Sequence, residues 1–199
     1  MLPPSITFAP ATGLVLTFSG VTGAVACCVG GVPNGPDGGT SASGTTDITS
    51  FGGISGILHG NRTLFLVGVF LNDAEPADPA PARLNFTGAD SFTSLSPLLN
   101  QTFFIGDGLT GTGTGSAQQF FVPTGATRLF LGFADGFNFG NPTSPPGFYN
   151  DNSGSLTATF AVTAVPEPAT LLLLGTGLAG TVGAIRRRRN RHDGDETQP

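Results

Sequence analysis

The chain has 199 residues, a formal net charge of −5 and only 11% charged residues, with 31 Gly, 16 Pro, 17 Phe and no Trp. Nine carboxylates face three arginines (Arg62, Arg83, Arg128) before Val165, a balance that argues against nucleic-acid or anionic-membrane binding by this part. Low charge with plentiful Phe, Leu and Val argues against disorder, and abundant Gly, Thr and Ser suit a turn-rich all-β protein.

At the start, Met1-Leu2-Pro3-Pro4 has neither a basic n-region nor a long apolar h-region. If the protein is exported, the expectation is a truncated chain or a start that lies further upstream. The first strand signal is Leu14 to Val25, which alternates in part through Leu14, Leu16 and Phe18. Cys27 and Cys28 follow. Adjacent Cα atoms lie ~3.8 Å apart, inside the ~4.4 Å lower limit of ordinary disulfides. A bridge between them would be strained, so the expectation is two small buried thiols on an apolar strand.

Residues 30–49 read as a Gly/Ser/Thr/Asn/Asp loop. Thr63 to Leu71 is continuously apolar, as a strand covered on both faces would be. Residues 72–81 form a Pro- and acid-rich connection, where Asp73, Glu75 and Asp78 read as solvated surface rather than a glycosidase pair. Residues 106–115 are nearly a Gly-Thr repeat and read as a loop. Phe120-Phe121-Val122 and Arg128 to Ala134 are further strands. The clearest alternation is Leu156, Ala158, Phe160, Val162 and Ala164, with Thr157, Thr159 and Thr163 between them. It predicts the last strand of a sheet with one wet side. No segment before Ala169 has sustained helical periodicity. Eight or so short strands with such loops predict a β-sandwich.

Two segments bring candidate chemistry. Asp135 follows the strand ending at Ala134, and Asp151-Asn152 precede Ser153-Gly154-Ser155. Calcium takes six to eight oxygens from carboxylates, amides and carbonyls, and adjacent strand ends can converge such groups. Asn-Asp-Asn-Ser-Gly is equally good turn chemistry, and the residues alone leave the two readings level. His59 and His192 are the only histidines, and there is no G-x-S-x-G elbow, so a His-based hydrolase is not expected and the chain reads as a non-enzyme.

The run Pro123 to Asp135, continued by Asn150 to Leu156, resembles the C-terminal half of the calcium-dependent, galactose-binding bacterial lectins, over about 40 residues. The resemblance implies a jelly-roll β-sandwich holding Ca²⁺ with Asp135, Asp151 and Asn152, and sugar hydroxyls on the same ion. Asp151 stands where the family has Asn, and the intervening loop is longer, with Pro142, Pro145 and Pro146. A main-chain carbonyl from the N-terminal half is also implied, for which Asn34-Gly35-Pro36-Asp37-Gly38 is the plausible source. The lectins' other sugar contacts have no counterpart, so galactose specificity does not carry over.

The carboxyl end carries Val165-Pro166-Glu167-Pro168-Ala169, then a charge-free run to Ile185, then Arg186-Arg187-Arg188-Arg189. As a helix, residues 169–185 would cover roughly 26 Å, the short end of a membrane span. Pro166 and Pro168 fix its start, and the arginines predict a cytoplasmic end, leaving residues 1–164 outside. Gly175-Thr176-Gly177-Leu178-Ala179-Gly180 fits G-x-G-x-x-G, but it follows no strand and opens no βαβ unit, so the dinucleotide reading is rejected. The whole arrangement resembles the PEP-CTERM sorting signal of Gram-negative, exopolysaccharide-producing bacteria. That resemblance implies export, recognition at Pro166-Glu167-Pro168 by the membrane protease-transpeptidase exosortase, cleavage, and delivery to the surface or matrix.

The expected organisation is an exported all-β domain over 1–164, a sorting signal over 165–191 and a polar cytoplasmic tail over 192–199. The expected activity is calcium-supported binding of carbohydrate, such as the cell's own exopolysaccharide. A structural matrix protein without a specific ligand is the alternative.

Overall fold

The computed structural model describes residues 3–138 and 147–165. The chain divides into two compact units, Met1–Ala164 and Val165–Pro199. The expected membrane helix at 169–185, the motif residues Pro166, Glu167 and Pro168, and Arg186 to Arg189 all lie outside the described residues. Among the described residues no helix is long and apolar enough to cross a membrane.

The first unit is all-β. Its strands are β1 (Ser5–Thr7), β2 (Leu14–Ala26), β3 (Thr46–Ile48), β4 (Ile57–His59), β5 (Phe65–Leu71), β6 (Leu84–Asn85), β7 (Ser94–Leu95), β8 (Thr102–Phe104), β9 (Leu109–Gly111), β10 (Thr114–Ala117), β11 (Gln119–Phe121), β12 (Arg128–Ala134) and β13 (Ser153–Ala164). One 3₁₀ turn, Gly147–Asn150, precedes β13. Two four-stranded sheets, β1-β12-β5-β8 and β13-β2-β11-β7, carry most of the body. A three-stranded sheet, β3-β4-β6, and the β10-β9 hairpin complete it. Taken in chain order, the eight strands of the two large sheets alternate strictly between them, so each connection carries the chain across the core.

That core is aromatic. Phe18 and Phe120 from one large sheet meet Phe70 and Phe103 from the other. Phe103 lies 5.3 Å from Phe120 and stacks on Phe70 at 5.1 Å, while Phe18 meets Phe120 edge-on at 5.8 Å. Each buried Phe contributes about 1.5–3 kcal/mol of transfer free energy. The edge-to-face and stacked geometries add to it. β5 explains its continuous apolar sequence: it lies between β12 and β8 and is buried along nearly its whole length. Gly68 at its centre is there for space, since a Cβ would come within 2.6 Å of the Phe103 ring.

β2 and β13 pair antiparallel from Leu14↔Ala164 to Ala26↔Ser153. The register shifts once, between Thr159↔Gly20 and Phe160↔Phe18, leaving Ser19 without a partner residue. This bulge moves the core-facing positions of β2 from even (Leu16, Phe18) to odd (Val21), which is why the alternation in the sequence is only partial. β13 has the predicted faces as far as Thr163, while Ala164, expected on the apolar face, is exposed. Leu156, Ala158, Phe160 and Val162 are half-buried, and Thr157, Thr159 and Thr163 are exposed.

Two loop expectations are corrected. Residues 106–115 hold β9 and the start of β10, a hairpin whose Gly111↔Thr114 pairing leaves Thr112-Gly113 as the turn, with Gly113 at φ 67°. Residues 30–49 hold β3, which pairs with β4. Neither strand has apolar alternation, because β10 is exposed throughout and β3 is only three residues long.

Candidate functional site

β12 runs out of the core at Ala134, and Asp135 is the first residue beyond it, 4% exposed. β13 enters at Ser153, and the 3₁₀ turn before it delivers Asn152 to the same place. The Asn152 Nδ2 donates to Asp135 Oδ2 at 2.7 Å and to the Phe148 carbonyl at 3.2 Å. Asp135 Oδ1 accepts the Gly136 amide at 2.6 Å. Asn152 Oδ1 is buried and has no hydrogen-bond partner among the described residues. Two of the three residues expected to meet are therefore joined directly, from segments 17 residues apart.

The third, Asp151, is exposed. Burial pushes the Tyr149 hydroxyl well above its ordinary value, with Asp135 adding to the shift and a hydrogen bond to the Asp135 backbone opposing it. Ser153 Oγ donates to the Cys28 carbonyl at 3.1 Å and ties the loop after β2 to the head of β13. Phe137 and Phe148, both partly exposed, stack obliquely at 5.2 Å beside the corner. A cleft of about 220 Å³ begins at Ala134 and Tyr149 and runs between Ile57, Val67 and Phe133, with a mostly apolar lining.

The N-terminal segment expected to give a main-chain carbonyl uses the carbonyls of residues 34–37 in hydrogen bonds within the body. Asn34 pairs its backbone with Val25 in both directions, at 2.9 and 2.8 Å. The carbonyls of Gly35, Pro36 and Asp37 accept from Gly38, Leu66 and Arg62. The Asn34–Gly38 turn thus closes the body on itself. Among the described residues no cluster of three or more His, Cys, Asp or Glu is placed to hold a metal. Oxygen donors at the corner are Asp135, Asn152 Oδ1 and the Phe148 carbonyl, hard donors of the kind calcium takes but a set in which Asn152 turns its nitrogen to the carboxylate.

A second polar cluster escaped the sequence reading. His59 on β4 is 1% exposed, and its Nε2 lies 3.5 Å from Asp90 Oδ2, which Arg62 Nε approaches to 3.1 Å. Arg62 also donates to the Asp37 carbonyl, and Asp37 Oδ1 accepts the Asp107 amide at 2.8 Å. Burial depresses the His59 pKa, opposed by Asp90 and assisted by Arg62. Burial raises that of Asp37. The His59 ring packs against Phe65 and Phe104, so this is a neutral imidazole closing one end of the core. The residues are scattered over 70 positions, and no local motif announces them. Asp73 and Asp78 are exposed, as expected; Asp73 accepts from Thr127 Oγ1 and Asp78 from the Gly53 amide.

No curated protein and no solved structure matches the chain. Residues 164–189 match the family described as a PEP-CTERM protein-sorting motif. The match takes in the Pro-Glu-Pro triplet, the apolar run and the four arginines. The chain is therefore an exported protein that bears a PEP-CTERM sorting signal and has exosortase as its processing partner.

Proposed function

We propose that the exported body is a surface or extracellular-matrix module of the jelly-roll kind, which binds carbohydrate with the help of Ca²⁺ at the Asp135–Asn152 corner. In this reading a helix over 169–185 anchors it until exosortase cuts at Pro166-Glu167-Pro168, and it is a ligand-binding protein rather than an enzyme. The observation that carries the proposal is the meeting of Asp135 and Asn152 at 2.7 Å, with Asn152 Oδ1 buried and without a partner among the described residues. Asp135, Asp151 and Asn152 would supply side-chain oxygens, and the Phe148 carbonyl a main-chain one. Loading needs the Asn152 amide turned end for end, so that oxygen replaces nitrogen beside the carboxylate. Bound calcium would give sugar hydroxyls a common ligand.

Calcium that binds the folded state alone raises its apparent stability. The thermal midpoint is expected to rise with Ca²⁺, to fall back with EDTA, and to lose this response in Asp135→Ala. A glycan array should then retain the protein only with Ca²⁺. Indifference to EDTA sinks the metal-dependent reading.

A structural matrix protein without a specific ligand is the second reading. It is favoured by the fact that both oxygens of Asp135 already accept hydrogen bonds, so the corner is closed without an ion. Retention of no glycan, with or without Ca²⁺, supports it.

A further inference from the structure

In a continuous strand neighbouring side chains point to opposite faces. Cys27 and Cys28 do not lie on one: β2 ends at Ala26, and the chain turns there into a loop closed by the Val25–Asn34 bridge. The Gly31 amide donates to the Cys28 carbonyl at 3.0 Å and bends the loop back on itself. Both sulfurs therefore lie on one side, 2.8 Å apart, against ~2.05 Å in a disulfide bond. Gly31 covers them. A Cβ there would stand 3.2 Å from each sulfur and 3.1 Å from the Cys28 carbonyl oxygen. The thiols are half-buried, while Val29 at the loop tip is 92% exposed, so a reagent in solvent reaches the pair.

We propose that Cys27 and Cys28 are a redox modification site, closing to a reversible vicinal disulfide when the exported chain meets a disulfide donor. Export places the chain where disulfides form and persist. A ring this small removes little entropy from the unfolded chain, so the bond is no staple. Its strained geometry raises its reduction potential and makes it labile, the character of a regulatory bond.

The chemistry balances with a protein or small-molecule disulfide as oxidant. Cys28 loses its proton and attacks one sulfur of the donor, forming a mixed disulfide and expelling a thiolate. Cys27 then loses its proton and attacks the Cys28 sulfur. The Cys27–Cys28 bond forms, the mixed bond breaks and a second thiolate leaves. The chain has given up two protons and two electrons, and the donor has become two thiols. The Cys27 thiol is pushed up to about 11, first by its hydrogen bond with Cys28, then by burial and by the charges of Cys28, Asp151 and Asp135. The Cys28 carbonyl beside the pair accepts from Ser153 Oγ at the head of β13.

The test uses the full chain, reduced with dithiothreitol, treated with oxidised glutathione, quenched in acid and alkylated with a maleimide for intact mass. The expected product lacks two hydrogens, carries no maleimide and no glutathione, and regains two maleimide sites after reduction. Cys28→Ser under the same oxidant should end as a single glutathione adduct. A wild-type chain that still takes two maleimides, or that ends with two glutathiones, overturns the proposal. Circular dichroism of the Cys27→Ser/Cys28→Ser double variant shows separately that the fold does not need the thiols.

Discussion

His59 shows how one buried side chain makes stability depend on pH. Its ring is 1% exposed between Phe65 and Phe104, and its pKa is lowered in the folded state. Above the unfolded value of about 6.5 both states are neutral and nothing is lost. As pH falls below that value the unfolded chain takes up a proton that the folded chain refuses, so stability declines until the folded pKa is passed. Asp37 has the opposite sense: its raised pKa makes the folded state hold a proton longer, so its burial costs stability as pH rises from 3.8. The two windows are approached from opposite sides. Urea unfolding between pH 7 and pH 5 should show a falling free energy for the wild type. His59→Gln should flatten that fall while costing about 1–3 kcal/mol overall from the altered packing. An equal slope in the variant would remove His59 as the cause.

At the scale of elements, Ser19 is the residue on which β2 turns its faces over. Without the bulge, one half of the 13-residue strand would present the wrong side chains to the core. Deleting Ser19 is expected to abolish cooperative thermal unfolding. Ser19→Ala, which keeps the residue count and loses only a 3.3 Å hydrogen bond to the Thr159 carbonyl, should stay within about 0.5 kcal/mol of wild type. A deletion variant that melts like the parent would show that the pairing can slip without penalty.

The same element explains what could be read from the chain. β5, β12 and β13 were legible because burial on one or both faces writes itself as apolar runs or alternation. β2 was half legible, since the bulge breaks the period midway. β9 and β10 were not legible, because their pairing rests on backbone hydrogen bonds among Gly and Thr. At the corner, Asp135 and Asn152 could be named because each sits at a strand end with a turn beside it. Which atom of the amide faces the carboxylate depends on the Phe148 carbonyl, which no spacing reveals. The His59, Arg62 and Asp90 cluster joins residues whose only relation is that loops return to one end of the core.

For the molecule as a whole, the sorting signal divides the charge. Five of the eight arginines lie at 186–191, beyond the triplet at 166–168, so cleavage leaves an acidic body. In cells with exosortase the protein is expected to lose the segment carrying those arginines, and Glu167→Ala together with Pro166→Ala should keep it. Intact mass of the surface fraction checks this. Recovery of the uncut chain from the surface of wild-type cells would contradict it.

β13 is hydrogen-bonded to β2 as far as Ala164, and Pro166 follows only two residues later. A fully stretched chain spans at most ~3.6 Å per residue, so an enzyme gripping the chain at Pro166, as proposed, would have about 7 Å of slack before it met paired backbone. The scissors must therefore close against a finished wall or wait for its last course to loosen. A short Gly-Ser insert after Ala164 would give the blade room, and release of the body should quicken in proportion.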